Sequence, residues 1–235
     1  MDEYSKDFCK TVTMPSNTKP YTSLNEWFLI PFLIWIIGGG VALALFDHRS
    51  LFAVVNTHHN LVFDYLMVYV TKLGEGFLGI IIMLVLLFKR SFRNRHYFFA
   101  ALLCNAIPAI LVQIIKAYYN EPRPMAVFNK ANWIHFLPQW EVLMENSFPS
   151  GHTSAAFCLF AFLSMFLTKR FKKFGFLFFL LALFVAYSRL YLAAHFFLDV
   201  YVSSILGVSF TVFVIYFLQK PLFFSTMQNT ISPVE

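Results

Sequence analysis

Three short polar clusters interrupt an otherwise apolar sequence, and their residue types suit chemistry on a phosphoryl group. The first cluster holds Lys116 and Arg123, the second Ser150, Gly151 and His152, and the third Arg189, His195 and Asp199. Cations can neutralise the equatorial oxygens of a phosphoryl group in transfer, while one imidazole attacks phosphorus in line and another protonates the leaving oxygen. The combination therefore predicts phosphoryl transfer or hydrolysis.

The second cluster predicts an anion site at the start of a helix. Ser147-Phe-Pro-Ser150-Gly151-His152-Thr153 opens an apolar run. The first turn of a helix presents unpaired backbone N–H groups and the positive end of the helix dipole, and both favour a bound anion.

The third cluster predicts an oriented nucleophile. His195 and Asp199 are four residues apart, so on one helix they share a face. The carboxylate can then hold one ring nitrogen and leave the other free to attack.

Composition predicts that these clusters sit in a membrane protein. The chain of 235 residues is 59% hydrophobic and 20% aromatic, and only 13% of its residues are charged. Soluble domains are about half apolar and about a quarter charged, so we expect an all-α integral membrane protein. Six apolar runs predict six transmembrane helices, at residues 28–46, 76–88, 97–115, 153–168, 174–188 and 200–218. The second run is short and is expected to borrow residues from the segment before it, with Glu75 near the interface.

Basic residues predict the orientation, because cytoplasmic loops are enriched in Lys and Arg. The loops after the second and fourth runs carry Lys89, Arg90, Arg93 and Arg95, and Lys169, Arg170, Lys172 and Lys173. Residues 1–27 and 219–235 are then a cytoplasmic segment and tail on either side of a six-span domain at 28–218. The formal net charge of +6 is interpreted as setting topology, so no nucleic-acid partner is expected.

Segments 47–75, 116–152 and 189–199 then face outward, and the last two hold the polar clusters. Segment 125–147 is aromatic and half apolar, which is typical of an interfacial helix. It would either shape a lipid entrance or only anchor the chain. Segment 51–72 predicts a second interfacial element.

The three clusters resemble the signature motifs of the type 2 phosphatidic acid phosphatase family. These motifs are Lys, six residues, Arg-Pro; then Pro-Ser-Gly-His; then Ser-Arg, five residues, His, three residues, Asp, and all three are complete here. The resemblance implies that His195 attacks phosphorus to form a phosphohistidine, that Asp199 orients it, and that His152 is the acid and then the base. It also implies a phosphate clamp of Lys116, Arg123, Arg189, Ser150 and the Gly151 N–H.

No cofactor and no metal are expected, because the sequence offers no Asp/Glu/His cluster suited to a catalytic metal. His58 and His59 are adjacent in sequence, so on a helix their side chains point apart instead of forming a metal pair. The expected partners are a membrane lipid phosphate and the bilayer, and the oligomeric state is left open.

The resemblance implies a bacterial inner-membrane enzyme whose site faces the periplasm or exterior. Candidate substrates are undecaprenyl pyrophosphate, phosphatidylglycerol phosphate, phosphatidic acid and a lipid A phosphate, of which the first and last best fit an outward site. Two alternatives stay open: a vanadium haloperoxidase-like enzyme, although those are soluble, and a lipid-phosphate binding or transport protein without catalysis.

Overall fold

The computed structural model describes residues 24–87, 95–129, 131–138 and 143–218, and within them the regular structure is entirely helical. In chain order the helices are α1 (Glu26–Leu45), α2 (His48–Asn56), α3 (Leu61–Lys72), α4 (Gly76–Leu87), α5 (Arg95–Tyr119), α6 (Pro124–Val127), α7 (Gly151–Met165), α8 (Phe174–Tyr191) and α9 (Phe197–Leu218). The predicted all-α class is confirmed. The predicted terminal segments lie almost wholly outside the described residues.

Four helical stretches of the described chain are long and apolar enough to cross a membrane. They are α1, Ala101–Val127, α8, and Phe197–Phe217 within α9. Helices α3 and α4 pass the same test only as a pair, bent by 60°. Glu75 lies at that bend, where the sequence predicted that the second span borrows residues from the preceding segment. By length and composition the described chain thus has four spans, or five with the bent pair, where the sequence predicted six.

Helix α7 is the central element of the bundle. Eleven of its 15 residues are buried, although it is shorter than a full span. Gly207 of α9 lets the two helices approach, since a Cβ there would lie 2.7 Å from the Ser154 carbonyl oxygen. A Cβ at Gly74, in the α3–α4 bend, would lie 2.7 Å from the His152 carbonyl oxygen. The start of α7 is therefore packed tightly against that bend.

The interfacial helix suggested by the composition of segment 125–147 is not confirmed. Of the described residues in 128–150, none is helical. The reason lies in where the backbone carbonyl groups bond: those of Glu145 and Asn146 accept hydrogen bonds from the side chains of Arg123 and Lys116. Segment 51–72 forms most of α2 and all of α3.

Candidate active site

The first cluster is carried by the end of α5 and the start of α6. Lys116 lies in the last turn of α5, and its Nζ donates to the carbonyl oxygen of Asn146 at 2.7 Å. Arg123 precedes α6 and is only 5% exposed. Its guanidinium donates to the carbonyl oxygens of Glu145, Ala194 and Asn146 at 2.8, 3.1 and 3.3 Å. Arg123 thus joins the first cluster to the residues just before the second cluster and to the stretch that carries the third.

The second cluster begins α7, as predicted. Ser150 is the N-cap residue, and its hydroxyl accepts from the Thr153 amide at 3.4 Å and from the Thr153 hydroxyl at 2.9 Å. Gly151 is the first helical residue, so its N–H belongs to the unpaired first turn. The His152 imidazole makes no hydrogen bond to the described residues and is only partly buried. An imidazole in that position is free to exchange a proton with a bound group.

The third cluster departs from the prediction in one respect, because His195 is not on a helix. Helix α9 begins only at Phe197. Helix α8 ends in a turn in which Ala193 has a φ of 52°. In that turn the amides of Ala194 and His195 both donate to the carbonyl oxygen of Arg189, at 3.0 and 3.2 Å. The end of α8, rather than a shared helix face, therefore sets the position of His195.

Asp199 nevertheless pairs with His195, in the first turn of α9. Its Oδ2 lies 3.3 Å from His195 Nδ1 and accepts from the Phe196 amide at 2.9 Å and the Ser147 hydroxyl at 2.5 Å. The bond back to the Phe196 amide is the acidic half of a capping box. Asp199 Oδ2 thus both caps the start of α9 and lies against the imidazole of His195.

Arg189 carries a buried donor that no described residue satisfies. It is 5% exposed, and its Nη1 donates to the Thr71 hydroxyl at 2.6 Å. Its Nε has no partner among the described residues. A buried donor without a partner costs about 1–3 kcal/mol, so a bound oxyanion that accepted this hydrogen bond would be stabilised.

The environment of His195 favours a neutral ring. Burial, and then the positive charges of Arg189 and Arg123, lower the pKa of His195 well below its usual value. With Nδ1 facing a carboxylate, the proton of the neutral ring resides there and Nε2 keeps its lone pair. The ring is therefore a competent nucleophile at neutral pH.

Direct hydrogen bonds link the three clusters, so the structure brings the predicted residues together. The Ser147 amide donates to Glu121, and the Ser150 amide to the Asp199 carbonyl oxygen, at 2.8 and 3.4 Å. No group of three or more His, Cys, Asp or Glu side chains in the described chain is placed to hold a metal ion. The roles of the individual residues stay predictions.

Sequence reasoning missed two buried hydroxyl groups, those of Ser147 and Thr71. Ser147 opens the second cluster, so its neighbours could have drawn attention to it. Thr71 lies 118 residues from its partner Arg189, and neither spacing nor composition marks it.

Comparison with known proteins places the chain in a family. Residues 96–222 match the PAP2 superfamily. Undecaprenyl-diphosphatase BcrC of Bacillus subtilis is 27% identical over 65% of this chain and 73% of that protein. The bacitracin transport permease protein BcrC of Bacillus licheniformis is 30% identical over 62% of this chain and 68% of that protein.

Two solved structures share the fold. Aquifex aeolicus LpxE has a TM-score of 0.60 and 26% identity over 71% of this chain and 93% of that chain. The transmembrane PAP2-type phosphatidylglycerolphosphate phosphatase of Bacillus subtilis has a TM-score of 0.59 and covers 89% of this chain and 100% of its own. At 20% identity, that second likeness shows the fold alone.

The class of protein that emerges is a membrane lipid phosphatase with a cation-lined site. The chain belongs to the PAP2 superfamily, as its three motifs predicted, and the matched region contains all of them.

Proposed function

We propose that this protein hydrolyses undecaprenyl pyrophosphate at the outer face of a bacterial inner membrane, through a phosphohistidine on His195. The observation that carries the proposal is the buried imidazole, whose Nδ1 faces Asp199 while its ring lies in the field of Arg189, the Nε of which has no partner in the described part of the chain. An oriented nucleophile beside an unsatisfied cationic donor is what attack on a phosphoryl group requires. The name of the Bacillus subtilis relative, undecaprenyl-diphosphatase, supports the choice of lipid.

The proposed first step transfers the terminal phosphoryl group to the enzyme. His195 Nε2 forms a bond to phosphorus as the bond to the bridging oxygen breaks. His152 gives its proton to the departing lipid monophosphate. Lys116, Arg123 and Arg189 neutralise the charge that spreads over the equatorial oxygens.

The proposed second step returns His195 to its free form. A water oxygen attacks phosphorus, the N–P bond breaks, and His152 takes the proton that the water loses. Inorganic phosphate then leaves. Neither step uses a metal ion, because the side chains supply the positive charge. Asp199 stabilises the imidazolium character of the phosphorylated ring, as the aspartate does in a serine-protease triad.

The proposal includes six spans with the site facing outward. The bent α3–α4 pair supplies one span and α7 another, in addition to α1, α5, α8 and α9. At 15 residues, α7 is about 22 Å long against a hydrocarbon core of about 30 Å. Its N-terminus would therefore lie recessed, where a headgroup can reach it while the lipid tail stays in the bilayer.

Cysteine labelling tests the orientation. A cysteine replacing the exposed Asn132 should react with an impermeant thiol reagent in intact cells, whereas a cysteine at Asn94 should not. The reverse pattern would overturn the outward-facing site.

Phosphate release from a panel of lipids tests the activity. Purified protein in EDTA should release phosphate from undecaprenyl pyrophosphate faster than from phosphatidylglycerol phosphate, phosphatidic acid or a lipid A phosphate. Orthovanadate should inhibit, because its trigonal-bipyramidal form resembles the transition state. If EDTA abolished turnover and only a divalent ion restored it, the proposed clamp of side chains would be contradicted. If phosphate were released faster from another lipid, that lipid would be the preferred substrate.

The name of the Bacillus licheniformis relative, a transport permease, favours a second function, in which the site binds a lipid phosphate without cleaving it. The same panel separates the two functions. Binding of undecaprenyl pyrophosphate without any phosphate release would establish the transport alternative.

A further inference from the structure

We propose that Thr71 is a positioning residue for the phosphate clamp, and that it aims the guanidinium of Arg189 at the bound oxyanion. This inference rests on the proposed function of Arg189 as part of the clamp. It concerns a residue that none of the three motifs contains. Thr71 also lies outside residues 96–222, the region that matches the family.

Thr71 contacts Arg189 directly. The Thr71 side chain is fully buried, and its hydroxyl oxygen accepts from Arg189 Nη1 at 2.6 Å. The guanidinium is a rigid planar group, so fixing Nη1 restricts the directions in which Nε and Nη2 can donate. The Nε atom, which has no partner in the described chain, is held in one direction as a result.

Thr71 lies beside a tightly packed part of the bundle. This matters because Thr71 can hold the guanidinium of Arg189 only if its own position is fixed. Thr71 lies in the last turn of α3, immediately before the bend that contains Gly74. At Gly74 a Cβ would lie 2.7 Å from both the His152 carbonyl oxygen and Val185 Cγ1. The bend is thus packed closely against the start of α7, which carries His152, and against α8, which carries Arg189.

Holding Arg189 in place before the substrate binds lowers the free-energy cost of binding and reaction. A buried arginine that had to reorient on binding would lose side-chain entropy and would reorganise hydrogen bonds during the reaction. A donor already aimed at the developing charge avoids both costs, and this preorganisation is the main source of electrostatic catalysis. Removing the anchor should therefore weaken binding of a transition-state mimic.

The experiment measures equilibrium binding of orthovanadate to the purified full-length protein, so that it does not depend on the lipid substrate. Thr71→Val keeps the shape and removes the hydroxyl, and we expect an affinity loss of about 10-fold, the scale of one hydrogen bond. Thr71→Ser should restore binding to within about 2-fold, since a hydroxyl is again present. Thr211→Val is the matched control, because Thr211 is also fully buried, its hydroxyl donates to the backbone carbonyl oxygens of Gly207 and Cys158, and it belongs to none of the three motifs.

A double-mutant cycle identifies the route of the effect. In an Arg189→Lys background, Thr71→Val should cause no further loss, because the two residues act through one contact. Equal losses in Thr71→Val and Thr211→Val, or full affinity in Thr71→Val, would overturn the inference. If Thr71→Val does not fold, Thr71→Ala serves in its place, and failure of both to fold would show that Thr71 is structural and would also overturn it.

The same data distinguish this inference from the proposed function. If Arg189→Lys left vanadate binding unchanged, the clamp itself would be wrong. If Arg189→Lys weakened binding and Thr71→Val did not, only the positioning role would fail.

Discussion

Two histidine–aspartate pairs lie near the C-terminal end of α8, and they are built alike. In one, Asp199 Oδ2 lies 3.3 Å from His195 Nδ1 and accepts a hydrogen bond from the Ser147 hydroxyl. In the other, Asp64 Oδ1 lies 2.7 Å from His135 Nε2 and accepts from the Tyr191 hydroxyl. Each carboxylate oxygen therefore holds one imidazole and one hydroxyl group, yet only the first pair belongs to a family motif.

The surroundings of the two pairs differ. The His195 side chain is 2% exposed and that of His135 is 12% exposed. The charges that act on His195 come from the motif cations, beginning with Arg189, whereas the ring of His135 stacks on that of His59 with centroids 3.8 Å apart. The proposed nucleophile is thus distinguished from His135 by its deeper burial and by the cations around it.

The second pair has a structural task. The Asn56 side chain donates to the His135 carbonyl oxygen and accepts from the His135 amide, at 2.9 and 2.8 Å. Together with Asp64, these bonds tie the segment at 131–138 to α2 and α3. Since Tyr191 belongs to α8, the pair fastens an irregular segment to the helix bundle.

The largest expected effect comes from removing each imidazole in turn. His195→Ala deletes the attacking atom, so no acid-quenched, base-stable phosphate label should form on the protein with any substrate. His135→Ala should retain labelling and most of its turnover, and should mainly lower the thermal unfolding temperature. Undiminished label in His195→Ala, or loss of label in His135→Ala, would reverse the distinction between the pairs.

A smaller effect should separate His152 from both pairs. His152→Ala leaves the nucleophile in place but removes proton transfer, which contributes about 10²–10⁴-fold in rate. A nitrophenyl phosphate, whose leaving group needs little protonation, should recover part of the first step. Hydrolysis of the intermediate would still be slow, so phosphate label should accumulate on His195. Label found on His152 in the wild-type protein would exchange the roles of the two histidines.

The smallest effect should come from deleting one hydroxyl group on each carboxylate. Ser147→Ala frees Asp199 Oδ2 from one of its partners, and we expect kcat to fall about 10-fold, on the scale of one buried hydrogen bond, with KM nearly unchanged. Tyr191→Phe makes the matching change at Asp64 and should leave kcat within about 2-fold while lowering stability by about 1–3 kcal/mol. Equal kinetic effects of the two substitutions would show that the pairs are coupled.

The sequence was informative where chemistry dictates residue type and spacing. The motifs identified Lys116, Arg123, His152, Arg189, His195 and Asp199, and apolar runs located α1, α5, α8 and α9 to within a few residues. Long-range hydrogen bonds were not predictable, because no periodicity connects Thr71 with Arg189 or Asp64 with His135. The interfacial helix within 125–147 was not confirmed: of the described residues there only 125–127 are helical, and side-chain donors compete for backbone carbonyl groups near its end. The bend at Glu75 likewise depends on packing against α7, which composition does not encode.

The hydrogen bonds of Arg123 affect how the site can unfold locally. One guanidinium is shared between carbonyl oxygens at 145–146 and at Ala194, which belong to stretches on opposite sides of α7 in the chain. Separating those stretches would strand a buried charge and leave carbonyl groups unpaired, at about 1–3 kcal/mol for each group. We therefore expect independent openings of these two stretches to be rare, and the amide protons of the residues around Arg123 to exchange with solvent together, as one cooperative unit.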